Sequence, residues 1–154
     1  MSSLIAGIAL AAFAALSLLG KRWAFWAFLV IAVGRIPART GFDFVTPACQ
    51  LEITAAGAAA AMAKVPHIVL FAVFFLIVHA QLSGRTRSRF GWAALATLAF
   101  GAVIELEQGL TRTGNCRARD LIQDAKGALL GAAVVLLLRS TRALFTRGRQ
   151  SHGR

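Results

Sequence analysis

Five apolar stretches follow one another along this chain: Leu4 to Leu19, Trp23 to Ile36, Pro66 to Leu82, Phe90 to Ile104 and Leu121 to Leu138. A membrane helix needs about 20 mostly apolar residues, so 154 residues carrying these runs leave little length for a soluble domain. Composition agrees, with 58% of residues hydrophobic and 15% charged. The mean hydropathy of +0.69 lies outside the usual balance of soluble domains. Function is thereby confined to short loops and helix ends.

The expected fold is an all-α, polytopic transmembrane helical bundle over residues 1–138, with five spans, followed by a basic cytoplasmic tail over 139–154. The last three stretches read as clear spans. The first two are short and separated only by Gly20, Lys21 and Arg22, so they form a tight hairpin, or one lies along the interface and the spans number four. The N-terminal run has the apolar and small residues of a signal peptide but no positive region before it, and its basic residues follow it. It therefore reads as an uncleaved first span with the N-terminus outside.

Charge placement sets the topology. Lys and Arg number 17 against 6 acids, but the cations fall between apolar runs and at the C-terminus, where they act as topology determinants and lipid-headgroup contacts. No nucleic-acid-binding module or soluble basic face is visible, so nucleic acid is not an expected partner. Placing the C-terminus in the cytoplasm puts Lys21, Arg22, Arg85, Arg87, Arg89, Arg139, Arg142, Arg147, Arg149 and Arg154 inside. Arg35, Arg39, Lys64, Arg112, Arg117, Arg119 and Lys126 remain outside, as the positive-inside rule permits. All the acids, Asp43, Glu52, Glu105, Glu107, Asp120 and Asp124, then fall on the outer side of a cytoplasmic membrane.

Helical spacing gathers a polar cluster at that face. Lys64 and His67 open the third span, Glu105 and Gln108 close the fourth, and Asp120 and Asp124 open the fifth. Alternating helix direction brings these ends to one membrane depth. Lys64, His67 and Phe71 share one stripe, Glu105 and Gln108 another, and Asp120, Asp124, Gly127 and Gly131 a third. The two glycines are a small-xxx-small pair suited to helix packing. Phe71, Phe74 and Phe75 read as lipid-facing or core aromatics, His79 as interfacial at the inner end, and Glu107 as facing water or a headgroup. Carboxylates within spans are costly, about 2.5–3.5 kcal/mol each at a helix centre. The set Lys64, His67, Glu105, Gln108, Arg117, Asp120 and Asp124, with Lys126 near it, is therefore a binding site or a charge network that locks helices together.

The longest segment between apolar runs, Pro37 to Lys64, holds Pro47, Cys49 and an Ala-rich stretch, Ile53 to Ala63, too short to span and suited to a surface or re-entrant helix. Pro66 fits the first turn of the next helix. By this topology Cys49 and Cys116 both lie on the oxidising side, and a disulfide between them is expected to clamp the long loop over the polar cluster.

The motifs Lys64-Val-Pro-His67-Ile-Val-Leu-Phe71, Glu105-Leu-Glu-Gln108 and Asp120-Leu-Ile-Gln-Asp124-Ala-Lys-Gly127 occur in that order. Over residues 64–131 the chain resembles the VanZ-like family of teicoplanin-resistance membrane proteins, whose pattern is K-x-x-H-x-x-x-F, E-x-x-Q, an Arg-containing loop, and D-x-x-x-N-x-x-G. Asp124 stands where that family has Asn, Ala63 where Asp often precedes the Lys, and Gly114 at the loop Arg, with Arg112 and Arg117 close by. The resemblance implies a cell-envelope protein linked to glycopeptide resistance. Three functions follow as expectations: a pocket for a lipid headgroup, peptide or lipid-linked cell-wall component, with Lys64 and Arg117 as anion contacts; an intramembrane acid/base enzyme using His67 with Glu105 or Asp120; and a scaffold subunit. Membrane lipids are the expected partners, and no cofactor or metal is expected.

Overall fold

A computed structural model describes residues 2–34, 49–83, 86–111 and 116–151. Arg35, Pro37, Arg39, Asp43, Pro47, Arg85, Arg112, Gly114 and Arg154 lie outside them. Among the described residues six α-helices follow in order: α1 (Ser2–Leu18), α2 (Arg22–Gly34), α3 (Ala55–Met62), α4 (Val65–Gln81), α5 (Thr86–Thr111) and α6 (Leu121–Ser151), with a 3-10 turn at Ala118–Asp120 before α6. The fold of the described residues is all-helical. Among the described residues two helical segments, Thr86–Leu110 and Ala118–Ala143, are long and apolar enough to cross a membrane. A third is gained if α3 and α4, bent by 69° at their junction, are taken as one span. α1 and α2 are shorter apolar helices. The protein is membrane-associated. No break in α6 marks position 139, and the helix runs on to Ser151.

Each helix boundary has a local cause. Gly20 takes φ +80, a left-handed conformation that glycine adopts at little cost, and it turns the chain between α1 and α2. Thr54 caps α3, its hydroxyl accepting from Gly57 N–H at 3.1 Å. The Ala-rich stretch thus forms a separate short helix. Pro66 sits in the first turn of α4, where no intrahelical donor is lost.

α4 is the central element, packing on α1, α2, α5 and α6, most extensively on α6. Its Phe74, Phe75, Ile77 and Val78 form the core with Phe28, Ala93, Ala128 and Val135. Phe71 is buried with them. Phe74 stacks on Phe100 at 4.4 Å between centroids and reaches Phe28 at 6.3 Å. His79 lies near the end of α4, buried between Phe75 and Phe90. Trp23, Trp26, Val30, Leu129 and Leu137 are each more than 60% exposed, the outward apolar surface of a lipid-facing bundle.

The α4–α6 contact is made backbone to backbone. A Cβ on Gly127 would come within 2.7 Å of Ile68 O, and one on Gly131 within 2.8 Å of Ala72 O. Gly131→Val is therefore expected to destabilise the bundle by about 1–3 kcal/mol or more, because the backbone opposite cannot yield as a side chain would. Gly91→Ala, with open space at its Cβ, gains about 0.5–1 kcal/mol of helix propensity. Thermal unfolding of the detergent-purified full chain measures both.

Candidate functional site

The first turns of α4 and α6 face one another. Helix N-termini carry positive partial charge, so Asp120 and Asp124 are favoured there while the cation of Lys64 is not. The Asp120 carboxylate offsets that penalty directly. Lys64 Nζ lies 3.4 Å from Asp120 Oδ1, and His67 Nε2 lies 3.4 Å from Asp124 Oδ1. The i, i+3 spacing on α4 is thus matched to the i, i+4 spacing on α6. Both separations are ion-pair distances, longer than well-formed hydrogen bonds.

Burial ranks the two pairs. Lys64 is half exposed, and a pair of that kind contributes roughly 0–1 kcal/mol. Asp124 is only 1% exposed, so its charge depends on His67 and on whatever else reaches it. Its other oxygen, Oδ2, sits on Gly101 of α5, where any Cβ would overlap it. Gly101 is thus the place at which α5 admits the carboxylate. His67 stacks on Phe71 at 5.0 Å, which fixes the ring orientation.

Glu105 of α5 completes the cluster. It is buried, accepts from the Arg117 backbone N–H at 2.9 Å, and lies within electrostatic reach of His67, Asp120 and Asp124. The contribution of Arg117 to that bond is its main chain. Its side-chain Nε is buried with no hydrogen-bond partner among the described residues. Cys49 and Cys116 form a disulfide with Cα atoms 4.6 Å apart. Next to it, Gln50 N–H donates to Cys116 O at 2.8 Å, and Ala118 N–H donates to Gln50 O at 2.9 Å. The segment that aims the Arg117 N–H at Glu105 is therefore held covalently.

The two remaining sequence candidates stand apart from these contacts. Lys126 donates to Met62 O at 3.1 Å and secures the end of α3 in place of joining the carboxylates. Gln108 is half-buried, and its side chain takes no part in the contacts that join Lys64, His67, Glu105, Asp120 and Asp124. Three site residues escaped the sequence reading. Gly101 stands four residues before Glu105 on the same α5 stripe, a spacing that signals it. Gln123 is 1% exposed, with its Oε1 unpartnered among the described residues. Arg119 lies over Gly57 of α3, its Nη1 3.0 Å from a Cβ built there. No local signal marks the last two. Among the described residues no cluster of three or more His, Cys, Asp or Glu could hold a metal ion.

Beside the polar cluster lies a cavity of about 270 Å³. Leu10 of α1, Phe28 and Ala32 of α2, Phe71 and Phe74 of α4 and Phe100 of α5 contribute to its walls, and His67 is the polar residue among the lining. The volume is just below the roughly 300–1,000 Å³ of common ligand pockets. No family model, curated protein or solved structure matches this chain.

The disulfide predicts a clear chemical result. Intact-mass analysis after alkylation is expected to show no label without reductant and two labels with it. Cys116→Ser should lower stability by about 2–4 kcal/mol, as for closure of a long loop, measured by thermal unfolding.

Proposed function

We propose that this chain is a VanZ-like integral membrane protein of the bacterial cell envelope, whose site at the outer face of the cytoplasmic membrane binds an amphiphile, a lipid or a lipid-linked cell-wall component. The polar head lies against Lys64, His67 and Arg117, with Glu105, Asp120 and Asp124 holding those groups in position. The apolar chain enters the cavity. The observation that carries this reading is the position of His67, which contacts Asp124 on one side and lines the apolar cavity on the other. The Nε of Arg117, without a partner among the described residues, is a donor suited to an anionic head.

Five crossings accord with the contacts at the helix ends. Gln81 Nε2 donates to Ser17 O, so α1 and α4 end together, and the Arg89 side chain near the start of α5 reaches His79 O at the same end. α6 begins at the opposite end, beside Lys64 and His67. With alternating directions and the basic tail in the cytoplasm, the N-terminus and the site both lie outside. Glycopeptide resistance enters through the sequence resemblance alone.

A second reading is an intramembrane enzyme in which His67, oriented by Asp124, moves a proton on a bound envelope lipid. The His67–Asp124 contact beside a cavity favours it, because a base must meet its substrate within hydrogen-bond reach. A scaffold role has less support, since helix locking needs no cavity beside the charge cluster.

Binding of a short-chain polyprenyl phosphate to the purified full chain, followed by native mass spectrometry, tests the main reading. The wild type is expected to bind saturably. Ala32→Phe, which fills the cavity from α2, should weaken binding about tenfold, since two displaced methylenes are worth roughly 1.6 kcal/mol. Unchanged binding by this variant would remove the chain site. Conversion of the lipid to a new species by the wild type, abolished in His67→Ala, would establish the enzyme. Teicoplanin susceptibility of cells expressing the wild type or His67→Ala tests the resistance link, and equal values would discard it.

A further inference from the structure

Among the described residues, the end of the bundle remote from Asp124 carries cations and no acid. Arg89 donates through Nη2 to His79 O at 3.0 Å. The His79 ring lies 4.9 Å from Phe90, and the guanidinium carbon of Arg139 lies 5.5 Å from the centroid of that same ring. Residues of α4, α5 and α6 thus converge around Phe90. Three buried polar atoms here, His79 Nε2, Arg89 Nε and Gln81 Oε1, have no hydrogen-bond partner among the described residues. His79 is itself only 6% exposed. Buried groups of this kind are normally satisfied by protein, water or a bound ion.

Among the described residues no carboxylate side chain lies at this end. The described acids are Glu52, Glu105, Glu107, Asp120 and Asp124. Along α5, Glu105 stands about 24 Å from Arg89, and along α6, Asp124 stands about 22 Å from Arg139, at 1.5 Å rise per residue. Asp120 and Glu105 belong to the opposite cluster, and Arg89 and Arg139 form no ion pair among the described residues. Meanwhile Trp23 and Trp92, near the starts of α2 and α5 at this end, are 61% and 60% exposed, as interfacial tryptophans are.

We infer that Arg89, Arg139 and His79 form a second site, for a phosphate-type anion at the membrane boundary opposite the Asp124 cluster. Its occupant is the phosphate of an anionic lipid headgroup, with Arg139 and Arg89 supplying charge and His79 Nε2 a hydrogen bond. Such basic pockets between helix ends are suited to headgroup phosphates. This inference does not depend on the cavity beside His67 or its ligand.

The test uses the full chain in a neutral detergent, titrated with phosphatidylglycerol, phosphatidylcholine or inorganic phosphate, and followed by native mass spectrometry and thermal unfolding. Saturable binding of phosphatidylglycerol is expected, with about fivefold weaker binding in Arg139→Gln, the effect of one basic residue at such a surface. Arg87→Gln removes an equal charge from an exposed position on α5 and is expected to leave affinity within twofold. Equal losses in the two variants, or equal binding of phosphatidylcholine, would overturn the site, because diffuse charge or lipid packing would then suffice. Saturable binding of inorganic phosphate that competes with phosphatidylglycerol and is weakened by Arg139→Gln would keep the anion site and assign its occupant to solution. Arg89→Lys, which keeps the charge and loses the fork to His79 O, should fall between wild type and Arg139→Gln. Circular dichroism establishes that each variant is folded.

Discussion

The close approach of α4 and α6 across Gly127 and Gly131 is the constraint on which the rest of the structure depends. Within lipid, apolar side chains gain nothing by leaving one apolar medium for another, so helix association rests on close packing and polar contacts. Two glycines one turn apart let the α6 backbone lie against Ile68 O, Ala72 O and the Phe75 ring. The same register carries Asp120 and Asp124 onto Lys64 and His67. Packing and charge pairing are therefore one arrangement, and a bulkier residue at either glycine would part both.

Around that seam the titratable groups are segregated by desolvation. Three carboxylates are buried, with Lys64 beside Asp120 and the Arg117 N–H bonded to Glu105, while Asp124 Oδ1 stands 3.4 Å from His67 Nε2 and has no hydrogen-bond partner among the described residues. The Arg117 N–H belongs to a segment outside the long helices, and the Cys49–Cys116 bond holds that segment in place. The opposite end uses another solution, spreading cations over Phe90 and the His79 carbonyl with no acid among the described residues there. Such an arrangement is tolerable where anionic headgroups or water are close, and costly where they are not.

His67 connects the cluster to the cavity. Its position near the start of α4 puts it beside Asp124, while its stacking on Phe71 aligns it with the apolar wall that α1, α2 and α5 complete. A polar head with an apolar tail matches that juxtaposition better than a purely polar solute, which would leave the cavity unfilled.

Much of this was legible in one dimension. Apolar runs determined an all-helical, membrane-associated chain because lipid leaves a single chain few ways to satisfy its backbone groups. Spacing of three and four residues determined which polar side chains share a face, and it singled out Lys64, His67, Glu105, Gln108, Asp120 and Asp124, because helix geometry is set locally. What spacing cannot convey is distance between helices. Only the tertiary structure decided that Asp124 rests on Gly101, that Lys126 turns away to Met62, that Arg117 serves Glu105 through its main chain, and that His79 is buried. The cavity likewise exists only where four helices diverge around side chains remote in sequence, since a void is a property of assembled surfaces and of no single helix.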